Sequence, residues 1–390
     1  MQYIETTTIM RLHHFILSAW LLMVTLLTSS CSGHQRSTVH QSAGDTIRFE
    51  YAENISAIRY PDYTVVDIRN PWDTLKTLHT YILIGKDKPL PTHLPTGTVV
   101  RTPLQQSLVY SSVHCALFLD LDALGAIAGV CDSKYINLPA IRQGCTDGSI
   151  ADCGSSMNPN IETIITTHPD AILLSPFENS GGYGKIEKLD IPIIECADYM
   201  ESSPLGRAEW MKFYGMLLDK DTTATALFQT IANRYNDMSL KAKAQPKQPT
   251  VISELKSGAA WYVPTGRSTT GRLIADAGGQ YIFGHLTDFG AIPLSVETVI
   301  DKGLDADIWL IKYGHIKART LKDLTDDYAP YRRFKALQNA QVYGCNTFQR
   351  PFYEESPFHP DLLLADLIHI FHPRLFPDHQ QRYFERLDRQ

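Results

Sequence analysis

The sequence predicts an α/β fold of two lobes, each built on a mainly parallel sheet, with one long helix running between them. Three observations carry this. Strand-like and helix-like segments alternate in two blocks, over 97–203 and again over 247–390. A helical stretch of 24 residues, DTTATALFQTIANRYNDMSLKAKA, stands between the blocks. One pattern also occurs in each block. NIETIITTHPDAILLS starts at Asn160 and SVETVIDKGLDADIWL at Ser295; from Glu162 and from Glu297, each reaches an Asp-Ala pair eight residues on. A chain of 390 residues is in any case too long for a single core.

Residues 1–30 read as a secretory signal rather than as part of the fold. Arg11, His13 and His14 precede the 13-residue apolar run FILSAWLLMVTLL, which is shorter than the ~20 residues a membrane span needs. The end of that run, LLTSSC, resembles a lipobox, with Thr28 where the motif usually has leucine. Cys31 is therefore the expected lipid attachment point. Residues 31–45 are polar and aperiodic, as a tether would be. Over 46–96, TIRFEYAENISAIRYPDYTVVDIRN and HTYILIG set β-branched and aromatic runs between turn residues, which predicts a β-rich extension.

In the first block TVVRTP and SLVYSS read as strands, VHCALFLDLDAL as a helix and AIAGVCD as a strand. IETIITTH is a short helix before the strand AILLSP, and GKIEKLD precedes the strand IPIIECA. Linking helices fill 204–246. GRAEWMKFYGMLL sets Trp210, Phe213, Tyr214 and Leu217 at helical spacing; the long stretch, capped at Asp221, sets Ala224, Leu227, Ile231 and Tyr235 on one face. Two prolines in KAQPKQP end it. The second block reads TVISEL strand, STTGRLIADAG helix, VETVIDKGL helix, ADIWLIKY strand, YRRFKALQN helix and AQVYGCN strand, closing on the helix DLLLADLIHIFHP.

Each copy of the repeat is thus a short helix leading into a buried strand. Ile164, Ile165, Val299 and Ile300 are expected in the core. Glu162 and Glu297 fall in the first helical turn, where the positive end of the helix dipole favours an acid, and this alone accounts for each.

Composition narrows the function. A net charge of −6 argues against a nucleic-acid footprint, which needs a basic face. Beyond Cys31 there are Cys115, Cys131, Cys145, Cys153, Cys196 and Cys345, with no C-x-x-C spacing for zinc. Export permits disulfides, and Cys145 and Cys153 share one polar loop in which a bridge is open to them; buried free thiols are the alternative for the rest.

The lobe–helix–lobe layout, the lipobox and the paired glutamates resemble the class III substrate-binding proteins of ABC importers. These deliver ferric siderophores, haem and cobalamin to inner-membrane permeases. The resemblance runs from about Thr98 to Pro373 and is most specific in DCGSSMNPNIETIITTHPDAILLS, ESSPLGRAEW and WYVPTGRSTTGRLIADAGGQY. It implies two Rossmann-like lobes with a ligand cleft between them, small lobe movement about a rigid helix, a monomer facing the periplasm on its lipid anchor, and no cofactor of its own. It also implies that Glu162 and Glu297 dock on the two subunits of an ABC permease that works with an ATPase. An iron chelate is the expected ligand, a ferric siderophore or haem, with a corrinoid such as cobalamin as the alternative.

Ligands of open α/β sheets lie beyond the carboxyl ends of the strands. That rule selects Ser111, Ser112 and His114 after SLVYSS, and Phe177, Asn179 and Tyr183 in FENSGGYGK. In the second lobe it selects Trp261, Tyr262, Arg267 and Ser268 in WYVPTGRS, Tyr313 and His315 after ADIWLIK, and Asn346, Phe348, Arg350 and Tyr353 after QVYG. Aromatic faces suit a flat, partly apolar chelate and arginine suits its acidic groups.

Two other classes are weighed. A bare-metal receptor needs converging histidines or carboxylates, yet His369 lies in one continuous packed helix, and His359, His372 and His379 give no short cluster. An enzyme is not expected: SGGYGK lacks phosphate-loop spacing and no G-x-S-x-G elbow occurs. A tetrapyrrole-processing activity would look first to His114 or His315.

Overall fold

A computed structural model describes residues 44–73, 75–178 and 182–390. The signal over 1–30, Cys31, most of the tether and Asn179 lie outside the described residues. Strands β1 (Asp45–Ile47), β2 (Ile55–Arg59), β3 (Thr64–Arg69) and β4 (Thr77–Gly85) pair antiparallel in sequence order, and β5 (Thr98–Thr102) adds to β4 in parallel. TVVRTP, expected as the first strand of the α/β block, instead closes this N-terminal sheet. The reason lies in β4: Tyr81, Ile82, Leu83 and Ile84 are all buried, so the strand must be covered on both edges and both faces.

The first lobe follows: β6 (Ser107–Val109), α1 (Ser112–Asp120), β7 (Ile127–Val130), α2 (Pro139–Asp147), β8 (Ala151–Asp152), a small hairpin of β9 (Gly154–Ser155) and β10 (Asn158–Pro159), α3 (Ile161–Thr167), β11 (Ala171–Leu174) and β12 (Ile193–Glu195). Its sheet is parallel throughout, in the order β12-β11-β6-β7-β8. All four residues of β11 are buried, as a parallel strand covered on both faces requires.

Helices α4 (Pro204–Glu209), α5 (Met211–Leu218) and α6 (Asp221–Lys243) connect the lobes. Trp210, Phe213, Tyr214 and Leu217 have no exposed surface. The 23 residues of α6 span about 34 Å at ~1.5 Å each. Its buried stripe of Ala224, Phe228, Ile231, Tyr235, Ser239 and Ala242 repeats at three and four residues. Leu227 is only partly buried, with Phe228 taking the inward position beside it.

The second lobe contains β13 (Thr250–Ser253), β14 (Ala260–Pro264), α7 (Thr269–Asp276), β15 (Gln280–Tyr281), β16 (Ala291–Ser295), α8 (Val296–Gly303), β17 (Ile308–Tyr313), α9 (Leu321–Asp327), α10 (Lys335–Gln338), β18 (Val342–Asn346), α11 (Phe352–Glu355), α12 (Pro360–Phe371) and β19 (Glu385–Arg386). The order is β15-β13-β17-β18-β19, parallel except for β19, and α12 packs along α6. WYVPTGRS, expected as a loop, starts as β14 paired antiparallel with β16. The helix expected over YRRFKALQN is a 3₁₀ turn at Ala329–Arg333 and the four residues of α10.

The repeated pattern occupies α3–β11 and α8–β17. Asn160 caps α3, its side-chain oxygen accepting from the amides of Glu162 and Thr163 at 3.1 and 3.2 Å; Ser295 caps α8, accepting from the Thr298 amide at 3.1 Å. Ile164, Val299 and Ile300 are buried, but Ile165 is 51% exposed. Only one face of the seven-residue α3 reaches the sheet before His168 turns the chain at φ 48°. All six described cysteines are free thiols, so Cys145 and Cys153 do not pair. The Cys153 sulfur is packed over Gly129 of β7, 3.2 Å from where a Cβ would stand, while Cys145 sits part-exposed on α2.

Candidate ligand-binding cleft

Two cavities open at the carboxyl ends of the two sheets. The larger, about 650 Å³, belongs to the first lobe. Tyr110, Ser111 and Ser112 follow β6 into it, Cys131 and Asp132 follow β7, and Ser175 and Phe177 follow β11; Tyr135, Met157 and Tyr183 complete its rim. Asp132 takes a left-handed φ of 52°, and its carboxylate accepts from the Ser156 amide and hydroxyl at 3.1 and 2.5 Å, which holds the β9–β10 hairpin across the end of β7. Ser111 is the residue before α1, yet its hydroxyl does not cap the helix. Tyr110 lies against the Cys131 thiol, and burial pushes its phenol up. Burial likewise pushes the Cys131 thiol up to about 12, so it faces the cavity protonated.

Tyr183 is fixed differently. Its hydroxyl donates to one oxygen of Glu195 at 2.6 Å, while the other oxygen of Glu195 meets His79 Nδ1 of β4 at 3.0 Å. Burial, and the Glu195 carboxylate with it, raise the Tyr183 phenol, which keeps it a donor.

The smaller cavity, about 430 Å³, takes Glu254 beyond β13, Lys312 near the end of β17, Tyr262 and Pro264 of β14, Ser268 to Thr270 at the start of α7, and Phe289. Tyr199 and Glu201 reach it from the first lobe, so both lobes contribute. The Tyr199 hydroxyl donates to the Pro176 carbonyl at 2.5 Å, next to Phe177 of the larger cavity, and this joins the two rims. Lys312 pairs with Glu254. Burial opposes the ammonium charge, but the carboxylate outweighs it and raises Lys312 above its ordinary value. Glu254 holds φ 67°, which is uncommon for a residue with a side chain.

The sequence-selected residues divide. Ser111, Ser112, Phe177 and Tyr183 line the larger cavity, and Tyr262 and Ser268 the smaller, although the Ser268 hydroxyl is already spent on α7, accepting from Gly271 at 3.0 Å and donating to Thr265 at 2.7 Å. His114 does not reach the cleft. It lies inside α1, 1% exposed, with Nε2 2.8 Å from Asp198 and 2.9 Å from the Tyr214 hydroxyl. Trp261 is wholly buried, its indole donating to the Ser253 carbonyl at 3.1 Å among Trp309, Tyr331 and Phe334. A strand alternates its faces, so Trp261 points inward and Tyr262 outward.

Arg267 is exposed and turns to the Thr287 carbonyl, and Arg350 pairs with Glu385 of β19; neither lines a cavity. The Tyr313 hydroxyl accepts from the Arg319 amide at 3.1 Å, and Asn346 ties the loop at His315. Phe348 is 62% exposed over Gly314 but outside both cavities. The cation of the cleft is therefore Lys312, not an arginine. Sequence reasoning passed over it because it sits within a strand, immediately before Tyr313, rather than in the loop beyond. Tyr110 and Cys131 were missed likewise, and Met157 because a six-residue hairpin carries little signal.

Glu162 and Glu297 are exposed, and neither makes an ion pair among the described residues. Among those residues no group of three or more His, Cys, Asp or Glu is placed to hold a metal ion, and no helix is long and apolar enough to cross a membrane.

Comparison with known proteins agrees with this geometry. The sequence model of a family described as periplasmic binding protein matches residues 109–347, more than half of the chain. Two uncharacterized lipoproteins of Methanocaldococcus jannaschii are similar over nearly the full length. One is 27% identical, covering 93% of this chain and 94% of its own; the other is 20% identical, covering 96% and 99%. Among solved structures, an ABC transporter substrate-binding protein from Listeria monocytogenes superposes with a TM-score of 0.55 at 18% identity, covering 69% of this chain and 99% of its own. A periplasmic heme binding protein from Pseudomonas aeruginosa gives 0.54 at 17% identity, covering 69% and 93%. A protein of an Fe3+-hydroxamate transport system from Saccharomonospora viridis gives 0.52 at 17%, covering 68% and 92%.

Proposed function

The chain belongs to the periplasmic binding protein family, in the class III form that serves ABC importers, and from this we propose that it is an exported lipoprotein that captures an iron chelate, a ferric siderophore or haem, and presents it to an inner-membrane permease. One observation carries the ligand class. Large exposed apolar side chains gather at the two cavities: Tyr135 at 68%, Met157 at 85%, Phe177 at 53%, Tyr262 at 52% and Phe289 at 48%. Apolar surface left in water around a concave site marks a place meant to be covered. Flat, partly apolar chelates match it, and Lys312 supplies a cation for an acidic substituent. The similar structures that bind haem or belong to a hydroxamate system support the same class.

Glu162 and Glu297, one exposed acid at a capped helix start in each lobe, are the proposed contacts with the two permease subunits. Lipoprotein relatives support attachment through Cys31.

The test is thermal unfolding of the soluble form, Ser32 to Gln390, with haem, ferric siderophores, cobalamins and divalent metals in turn. A ligand at ~100 times its Kd adds about 2.7 kcal/mol, a clear shift of the midpoint. A shift with haem or a ferric siderophore is expected. A shift with cobalamin alone would move the assignment to a corrinoid, and one with a bare metal would overturn the chelate reading.

A further inference from the structure

The sheet β1–β5 precedes the residues matched by the family and lines neither cavity itself, yet it holds Glu195 behind the larger one and Glu201 in the lining of the smaller. In β4, His79 lies with Nδ1 3.0 Å from Glu195 and Nε2 2.8 Å from the Thr98 hydroxyl of β5. A neutral imidazole carrying its hydrogen on Nδ1 donates to the carboxylate and accepts from Thr98, which meets both contacts. The ring is stacked on Tyr81, centroids 4.3 Å apart, and the Tyr81 hydroxyl accepts from the Glu195 amide at 2.8 Å. Glu195 is thus gripped at its backbone and at one oxygen by the N-terminal sheet. Its other oxygen holds the phenol of Tyr183 in the wall of the larger cavity.

Tyr183 needs such a hold. It stands between Gly182 at φ 102° and Gly184 at φ 65°; its amide donates to the Glu187 carboxylate, which leaves the Glu195 contact to fix the phenol. The smaller cavity has a parallel arrangement. Glu201 in its lining is 2% exposed and accepts from the Glu53 and Asn54 amides at 3.0 and 2.8 Å, in the turn between β1 and β2, and from the Trp210 indole at 2.9 Å.

We propose that the N-terminal sheet is a working part of the ligand site: His79, through Glu195, positions Tyr183 in the wall of the larger cavity, and the Glu53–Asn54 turn, through Glu201, positions the rim of the smaller one. This rests on the reading of the cavities as a ligand site. His79 and Glu195 touch no ligand in this scheme; they act by fixing a residue that does.

Hydrogen exchange over Tyr183 to Leu189, in the wild type and in His79→Ala, His79→Gln and Tyr183→Phe, tests the positioning without any ligand. His79→Ala and Tyr183→Phe should each speed exchange there about tenfold while β3 keeps its protection, and His79→Gln, able to donate to Glu195, should restore most of it. Hemin and a ferric trihydroxamate serve as binding probes, and whichever binds the wild type should bind His79→Ala about tenfold more weakly and recover with His79→Gln. Unchanged exchange in His79→Ala would sink the proposal, as would equal loosening of β3, which would make His79 only a strut of its own sheet. If neither probe binds the wild type, the chelate reading fails, while the exchange contrast still decides the positioning.

Discussion

Trp261 and Tyr262 are consecutive residues of β14, yet the indole has no exposed surface and the phenol ring is 52% exposed in the smaller cavity. Their substitutions should therefore separate. Trp261→Ala empties a site among three aromatic rings and should cost about 3–5 kcal/mol in urea unfolding. Tyr262→Ala should cost under about 0.5 kcal/mol and act on ligand affinity instead. Equal stability losses would show that Tyr262 belongs to the core.

Reversal of either exposed acid, Glu162→Lys or Glu297→Lys, should lower uptake in cells by about tenfold or more and leave ligand affinity and unfolding midpoint unchanged. Loss of binding in the purified variant would place that glutamate in the ligand site rather than at the permease.

Acid stability should depend on Asp198. Burial works to raise its carboxyl, but His114, Arg207 and Tyr214 around it prevail and hold it at about 2 against an ordinary 3.8. A folded value below the unfolded one stabilises the protein above pH ~4, and the contribution drains away as pH falls toward 2. The loss should be about 2 kcal/mol at most. Unfolding free energies at pH 7, 4 and 3 should fall less steeply in Asp198→Asn than in the wild type; parallel curves would assign the acid limb to other carboxyls.

Lys312→Met leaves Glu254 without its partner in the cleft and should cost about 1–3 kcal/mol, with part of this regained on adding Glu254→Gln. Additive losses in the double variant would mean that the two charges do not stabilise one another.

Alkylation of the folded protein should find Cys145 first, since the other described thiols are buried and burial holds Cys131 at about 12 and Cys153 at about 11. Rapid labelling of Cys131, which lines the larger cavity, would reveal a far more open pocket floor.

Periodicity made much of this architecture readable before any coordinates. The 3.6-residue rhythm from Ala224 to Tyr235 belongs to one helix, and the runs AILL and IWLI are buried parallel strands. Pairing was less legible. TVVRT has the composition of any parallel strand, and nothing local says that its neighbour is β4 rather than β6. The site was legible by strand ends, which found Phe177, Tyr183 and Tyr262, but a shift of one residue turns a side chain to the other face, as at Trp261. His79 and Glu195 lie 116 residues apart, and a contact at that distance leaves no trace in either local sequence.

Two carboxylates, Glu209 and Glu201, take every amide from Glu50 to Asn54 in succession, the first holding Glu50, Tyr51 and Ala52 and the second Glu53 and Asn54. Both acids are buried, so a gene shortened to begin after the N-terminal sheet would remove all five of those amides and leave Glu209 with Lys212 and Glu201 with the Trp210 indole. The appendage is therefore not a free-standing module: the turn that opens it is held by two acids 147 to 159 residues further along the chain.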